Sequence, residues 1–302
     1  KSGEPDDGPS MGLGLGEQGI LKKIETGSND FAFRLKRAVT EPIDELVLDV
    51  FGFSRGAATA RHFVSREIYD TTGSLYGEYK GRLVKAFERE GIPWPEKVTV
   101  RFLGLFDTVA AVADLDNLDF SAHDADTGRI NVDVRLEHVE RAVQFVAQDE
   151  RRHNFSLNSL RNESGNLPEH FSEWERPRGL PGGDITLRLW LEREGRGEYS
   201  RIPLYLMHKL AVDAGVPFQS INPEVEGFSL PQELITIARN LAAHVWHGHE
   251  LLISPESKAL LKQRYIHHSD HYLKMYVKGT WPIYPFQPAK HGRRVVHPNK
   301  SQ

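Results

Sequence analysis

Glu45-Leu46-Val47-Leu48-Asp49-Val50-Phe51-Gly52-Phe53-Ser54-Arg55-Gly56-Ala57-Ala58 is the stretch that decides the fold. Glu45 to Phe51 is a short apolar run that stops at glycine, the pattern of a strand buried within a parallel sheet. Ala57 to Tyr69, rich in Ala and Arg, predicts a helix. Ser54 therefore falls on the turn between a buried strand and a helix, inside Gly-x-Ser-x-Gly. A serine hydroxyl is a weak nucleophile until a base takes its proton and a turn lifts it clear of the backbone. The flanking glycines keep side chains out of such a turn. The helix start behind it offers N–H groups and the positive end of a dipole to a developing oxyanion. Ser54 is the candidate nucleophile, and the backbone N–H of Arg55 is the candidate oxyanion donor. The competing reading is a structural serine at a turn.

Working outward, Val98 to Phe106 predicts a second buried strand. Tyr76 to Glu90 predicts an amphipathic helix before it, closed by the turn Pro93-Trp94-Pro95. Strands alternating with helices indicate an α/β fold with a mostly parallel sheet flanked by helices. Asp107 follows the second strand directly, at the strand end where α/β sheets gather functional groups. A carboxylate there can orient a histidine, so Asp107 is the candidate acid of a triad, against the plainer reading of a turn or N-cap aspartate.

The histidine is not singled out by its surroundings, because the chain has 14 of them. His244, His247 and His249 share one helical segment, but their spacing does not place them on one face, so no metal site is expected. His267 and His268 follow Ser257 to Arg264, which predicts a helix. They are candidates because the order nucleophile, acid, histidine is usual in α/β-hydrolases.

Elsewhere, Gly19 to Arg37 predicts helix in parts, with a break at Gly27-Ser28-Asn29. Val134 to Val146 predicts a further helix, and Ser156 to Gly183 reads as loop. Ile185 to Glu194, Tyr199 to Ala214 and Pro231 to His249 predict helices, and Gly279 to Gln302 looks irregular. Gly12, Gly14, Gly16 and Gly19 imitate a phosphate-cradling loop, but no strand precedes them, so a surface loop is the better reading.

Composition narrows the classes. The net charge of −4 comes from 38 Lys+Arg and 42 Asp+Glu. There is no sustained basic block, so nucleic-acid binding is not expected. The cluster Lys290 to Arg294 reads as a solvated tail. The absence of cysteine excludes disulfides and thiolate chemistry. No apolar run approaches the ~20 residues of a spanning helix. Lys1 to Gly16 show no charged-then-apolar leader pattern. One catalytic domain over residues 1–302, with helical and irregular C-terminal additions, accommodates the length.

Four segments together resemble one family. Leu48 to Ala58 is similar to the nucleophile motif of type VI secretion phospholipase effectors of the Tle1 type, the DUF2235 hydrolases. Gly104-Leu105-Phe106-Asp107-Thr108-Val109 resembles the family's second strand and acid. Ala142 to Phe155, with Gln148-Asp149-Glu150-Arg151-Arg152, resembles its Asp-Glu-Arg-Arg stretch. Arg264 to Ser269 and Arg293 to Pro298 resemble its late region.

The resemblance implies an α/β-hydrolase fold and cleavage of phospholipid acyl esters by a Ser-His-Asp triad without a cofactor. It also implies export by a type VI apparatus, action in the periplasm of rival bacteria, and three partners: a phospholipid membrane surface, a spike protein and an immunity protein. Ser54 and Asp107 match the first two catalytic positions. Two elements of the family are not present. No Asp-Gly-Thr strand precedes Lys1. The Pro-Gly-x-His-Ser-Asp-x-Gly-Gly stretch that carries the family's histidine is replaced by Trp174 to Asp184, which has none. We expect that strand and some loop residues to be missing from the chain, and the histidine stays unassigned. Tyr276 to Phe286, with Trp281, Tyr284 and Phe286, would seat at a lipid surface or pack on the core. Two alternatives stand beside this reading: an esterase of soluble substrates, and a non-catalytic relative that serves as a binding module.

Overall fold

The strand that carries the Ser54 motif pairs, in parallel, with the strand that ends at Asp107. In the computed structural model these are β1 (Glu45–Phe53) and β2 (Lys97–Phe106). Their register runs from Glu45 opposite Lys97 to Phe53 opposite Phe106, with an irregularity between Leu48 and Asp49. The structure describes residues 17–71, 79–110, 130–134, 139–147, 150, 155–175, 198–222, 229–247, 253–264 and 294–300. Two further strands, β3 (Ala142–Val146) and β5 (Phe171–Glu175), complete a parallel sheet of order β1-β2-β3-β5. A separate short pair joins β4 (Leu157–Asn158) to β6 (Val296–His297).

Helices cover both faces. On one side lie α1 (Glu17–Ala38), α2 (Arg55–His62), extended by a π-helical turn Phe63–Glu67, and α3 (Arg82–Arg89). Ala57, Ala60, Val64 and Phe87 meet Leu46, Leu103, Leu105 and Phe171 there. On the other side are α4 (Arg201–Asp213), α5 (Gln232–His247) and α6 (Pro255–Arg264). Met207, Leu210 and Ala211 of α4 pack on Phe102 and Val143. Successive residues of a strand face opposite sides, so Phe102 serves one layer and Leu103 the other. Removing a side chain such as Phe87 or Phe102 from water contributes about 2–3 kcal/mol each, and both are fully buried.

The α/β architecture is as expected, but three local expectations are corrected. Val134 to Val146 does not form one helix, because Ala142 to Val146 is the third strand. It is hydrogen-bonded on both sides, to β2 and β5. A strand buried on both faces has no alternation to reveal it, and Val139 is already extended beside Val100. The loop reading of Ser156 to Gly183 misses β4 and β5. Pro168, Gly165 and the acidic Glu173 and Glu175 disguise the latter. Finally, α1 does not break at Gly27-Ser28-Asn29. Ser28 is buried, Asn29 accepts a hydrogen bond from Arg89 at 2.8 Å, and Phe31 stacks on Phe87. Packing on α3 therefore offsets the ~1 kcal/mol helix cost of glycine.

The readings of the Gly12–Gly16 loop, of Ile185 to Glu194 and of Tyr276 to Phe286 fall outside the described residues. So do His249, His267 and His268. Among the described residues, no helix is long and apolar enough to cross a membrane.

Candidate active site

Ser54 has φ 53° and ψ −120°, a backbone region that costs a residue with a side chain about 1–3 kcal/mol. The surrounding bonds over-determine it. Its N–H donates to the Phe106 carbonyl at 2.8 Å. Its own carbonyl accepts from Ala57 N at 3.0 Å, from Ala58 N at 3.2 Å and from Val109 N at 3.4 Å. The strand therefore reverses sharply into α2, with Ser54 half-buried at the turn and Arg55 as the first helical residue.

The two glycines of the motif are not equivalent. A Cβ on Gly52 would stand 2.4 Å from the Gly56 carbonyl oxygen and 2.5 Å from the Ala57 Cα, so the strand can pass the helix only as glycine. A Cβ on Gly56 would meet nothing within 4 Å. The expectation that both glycines avoid a clash holds for Gly52 alone.

Asp107 ends β2 with φ 53°, again positive, and its N–H donates to the Phe145 carbonyl at 2.8 Å. Its carboxylate is buried and well held. Oδ1 accepts from the Ala147 N–H at 3.0 Å and from Arg294 Nη1 at 2.5 Å; Oδ2 accepts from Arg294 Nη2 at 3.0 Å. The side chains of Arg294 and Asp107 are only 5% and 4% exposed. Arg294 is therefore no part of a solvated tail. A buried guanidinium is stable there because it meets a carboxylate and the carbonyls of Phe155 and Ala147. Among the described residues, no histidine contacts Asp107 or the Ser54 hydroxyl.

Beneath this turn lies a buried polar network. Thr108 Oγ1 donates to Gln144 Oε1. Gln144 Nε2 donates to Glu173 at 2.7 Å and to the Asn158 carbonyl at 3.0 Å. Glu173 also accepts from Ser159 Oγ at 2.7 Å and from the Leu160 N–H at 2.6 Å. Gln144 and Glu173 are the polar residues that hide β3 and β5 in the sequence, and here they link Asp107's neighbour to β4.

Two further buried groups fasten α2. Arg61, fully buried, donates to the carbonyls of Val132, Asn158 and Ser159 and to Asn299 Oδ1. Burial brings its guanidinium down to about 10, against the opposing charges of Glu173 and Asp133. His62 Nδ1 accepts from the Asn131 N–H at 2.8 Å, so the proton sits on Nε2 and is donated to Glu67 at 2.9 Å. Burial alone would raise the Glu67 carboxyl. The bonds from His62, the Arg82 N–H and Tyr79, with the Arg82 charge, outweigh it and hold the group at about 2.

Comparison with known proteins now adds to the geometry. The model of the family "T6SS, Phospholipase effector Tle1-like, catalytic domain" matches residues 85–267. The chain belongs to this family. The matched span begins beyond Ser54 and includes Asp107. The Tle1-like fold is also similar to the structure of the Tle1 effector bound to the VgrG spike from the type 6 secretion system. The TM-score is 0.62 at 21% identity, over 93% of this chain and 74% of that one. A second structure, of an uncharacterized protein from Pseudomonas aeruginosa, aligns with TM-score 0.38 at 25% identity, over 80% of this chain and 33% of that one. Comparison with curated proteins gives no match. Family membership makes this Tle1-like chain a lipid-hydrolase domain of the type VI effector class. The residue that sequence reasoning passed over is Arg294. Its signals were the apolar pair Val295-Val296 beside it and its place in Arg293 to Pro298, which resembles the family's late region but names no role for it.

Proposed function

We propose that the chain cleaves acyl esters of phospholipids through an acyl-enzyme formed on Ser54. The observation that carries this reading is the positive-φ turn at Ser54, hydrogen-bonded to the end of the strand that delivers Asp107. Ser54 Oγ adds to the ester carbonyl as its proton passes to a histidine, and the carbonyl oxygen becomes an oxyanion facing the N–H of Arg55. Collapse breaks the ester C–O bond, and the lysolipid alcohol leaves with the proton from the histidine. Water then repeats the sequence in reverse to free the fatty acid and restore Ser54. Asp107 orients the histidine and stabilises its charged form.

The whole chain acts as one catalytic unit, an assignment supported by a structural match along 93% of its length. The Tle1 neighbour is seen bound to a VgrG spike, which supports export by docking on a spike protein. Action follows on the membrane of a target bacterium from its periplasm, with an immunity protein guarding the producer. The test offers the protein phospholipid vesicles beside short soluble esters. Fatty acid released from vesicles, and lost in Ser54→Ala, supports the phospholipase. Ester turnover without vesicle hydrolysis replaces it with a soluble-ester esterase. One observation favours the second reading, a binding module: the Asp107 carboxylate is already engaged by Arg294. Inertness of Ser54 toward a fluorophosphonate probe would select it.

A further inference from the structure

We propose that Arg294 is a positioning residue of the hydrolytic site, fixing the Asp107 carboxylate so that one acceptor position on Oδ2 remains for the histidine. This rests on the reading of Asp107 as the triad acid. A carboxylate oxygen accepts about two hydrogen bonds. Oδ1 already has two, from the Ala147 N–H and Arg294 Nη1, whereas Oδ2 has one among the described residues, from Arg294 Nη2. The bidentate fork fixes the plane of the carboxylate as well as its place, which a single-point cation would not do.

The fork is itself immobilised. Arg294 Nε donates to the Phe155 carbonyl at 2.5 Å, and Nη1 donates to the Ala147 carbonyl at 3.1 Å. Ala147 thus bonds both partners, giving its N–H to Asp107 and its carbonyl to Arg294. Asp107 holds a positive φ at the end of β2, where small changes in backbone would swing its side chain. The arginine restrains that swing from a segment 187 residues away.

The same contact has an electrostatic effect. Among the described residues, neither partner has another salt bridge, so the two charges of Asp107 and Arg294 offset each other. A histidine joined to Oδ2 feels the carboxylate partly offset by the guanidinium. Its neutral, proton-accepting form therefore persists to lower pH than beside an unpaired carboxylate.

Steady-state hydrolysis of a short p-nitrophenyl ester by the full chain tests this, with Arg294→Met, Arg294→Lys and Asp107→Asn measured in parallel. Arg294→Met should lower kcat about 10- to 100-fold through misplacement of the acid, with KM within about twofold. The acid limb of its kcat/KM profile should move up by about one pH unit. Arg294→Lys keeps the charge but not the fork, so its limb should stay in place while kcat falls partway. Added guanidinium ion should restore part of the Arg294→Met rate. A loss that follows only a lowered Tm, with an unmoved limb and no rescue, would make Arg294 a structural residue and overturn the proposal. So would a rise in kcat, which would mean that Arg294 blocks the acid. Wild-type turnover in Asp107→Asn instead sinks the reading of Asp107 itself, and an inactive wild type sinks both.

Discussion

The backbone N–H of Ser54 donates to the carbonyl of Phe106, 2.8 Å away. The candidate nucleophile and the residue just before the candidate acid are thus one hydrogen bond apart. The return bond, from Val109 N to the Ser54 carbonyl at 3.4 Å, closes the two turns into a single unit. Displacing either strand end displaces both functional groups.

Replacing the hydroxyl alone should leave that unit intact. Ser54→Ala keeps every backbone bond named above. It should therefore remove nearly all ester turnover, on the order of a 10⁶-fold loss in kcat, with a thermal midpoint close to wild type. Esterase kinetics and calorimetry on the same preparation check both halves. Substantial turnover in the variant would remove Ser54 from the mechanism.

Asp107→Asn preserves size, but it removes the counter-charge of the buried Arg294 and presents an N–H donor where Arg294 or the histidine needs an acceptor. The rate should fall on the order of 10⁴-fold. The fall should appear in kcat while substrate affinity changes little. A variant within tenfold of wild type would contradict the assignment.

The glycines make a paired prediction. Gly52→Ala forces a methyl against the backbone of Gly56 and Ala57, atoms that cannot move without unwinding the start of α2. It should cost about 3 kcal/mol or more or prevent folding. Gly56→Ala meets open space and should be neutral or stabilising by up to about 1 kcal/mol. Urea unfolding of both variants decides. A tolerated Gly52→Ala would mean that the turn is looser than described.

Acid should weaken the fold through Glu67. Its carboxyl lies at about 2 in the folded chain against an ordinary 4.5. A depressed acid contributes stability above the unfolded value and loses it as pH falls through the folded one. The contribution, about 3 kcal/mol, should thus be complete above about pH 4.5 and disappear toward pH 2. Glu67→Gln should lower stability at neutral pH and flatten that acid slope. An unchanged slope in the variant would assign it to other carboxylates.

The parts of the fold legible in the sequence are those specified by neighbours along the chain. β1, the Ser54 turn and α2 announce themselves by an apolar run, a glycine and an alanine-rich helix. α4 to α6 are legible as helical segments between loop-like stretches. β3 and β5 were not, because Gln144 and Glu173 face a buried polar network that pairs them with each other and with Ser159. A polar residue inside a strand reads as exposure unless its distant partner is known. Arg294 was opaque for the same reason. Among basic residues near the chain's end it looks solvated, and only the fold reveals the carboxylate that buries it.

The separation of Asp107 from Arg294 also has a consequence in time. A ribosome adding ~5–20 residues per second needs roughly 10–40 s to cross the 187 positions between them. Once Glu175 is made the nascent chain contains β1, β2, β3 and β5, but the carboxylate at the sheet's end has no Arg294 to meet. Burying it uncompensated would cost several kcal/mol, so this end of the sheet stays open until Arg294 arrives. On the reading proposed above, a membrane-degrading site would stay unfinished until Arg294 had joined it.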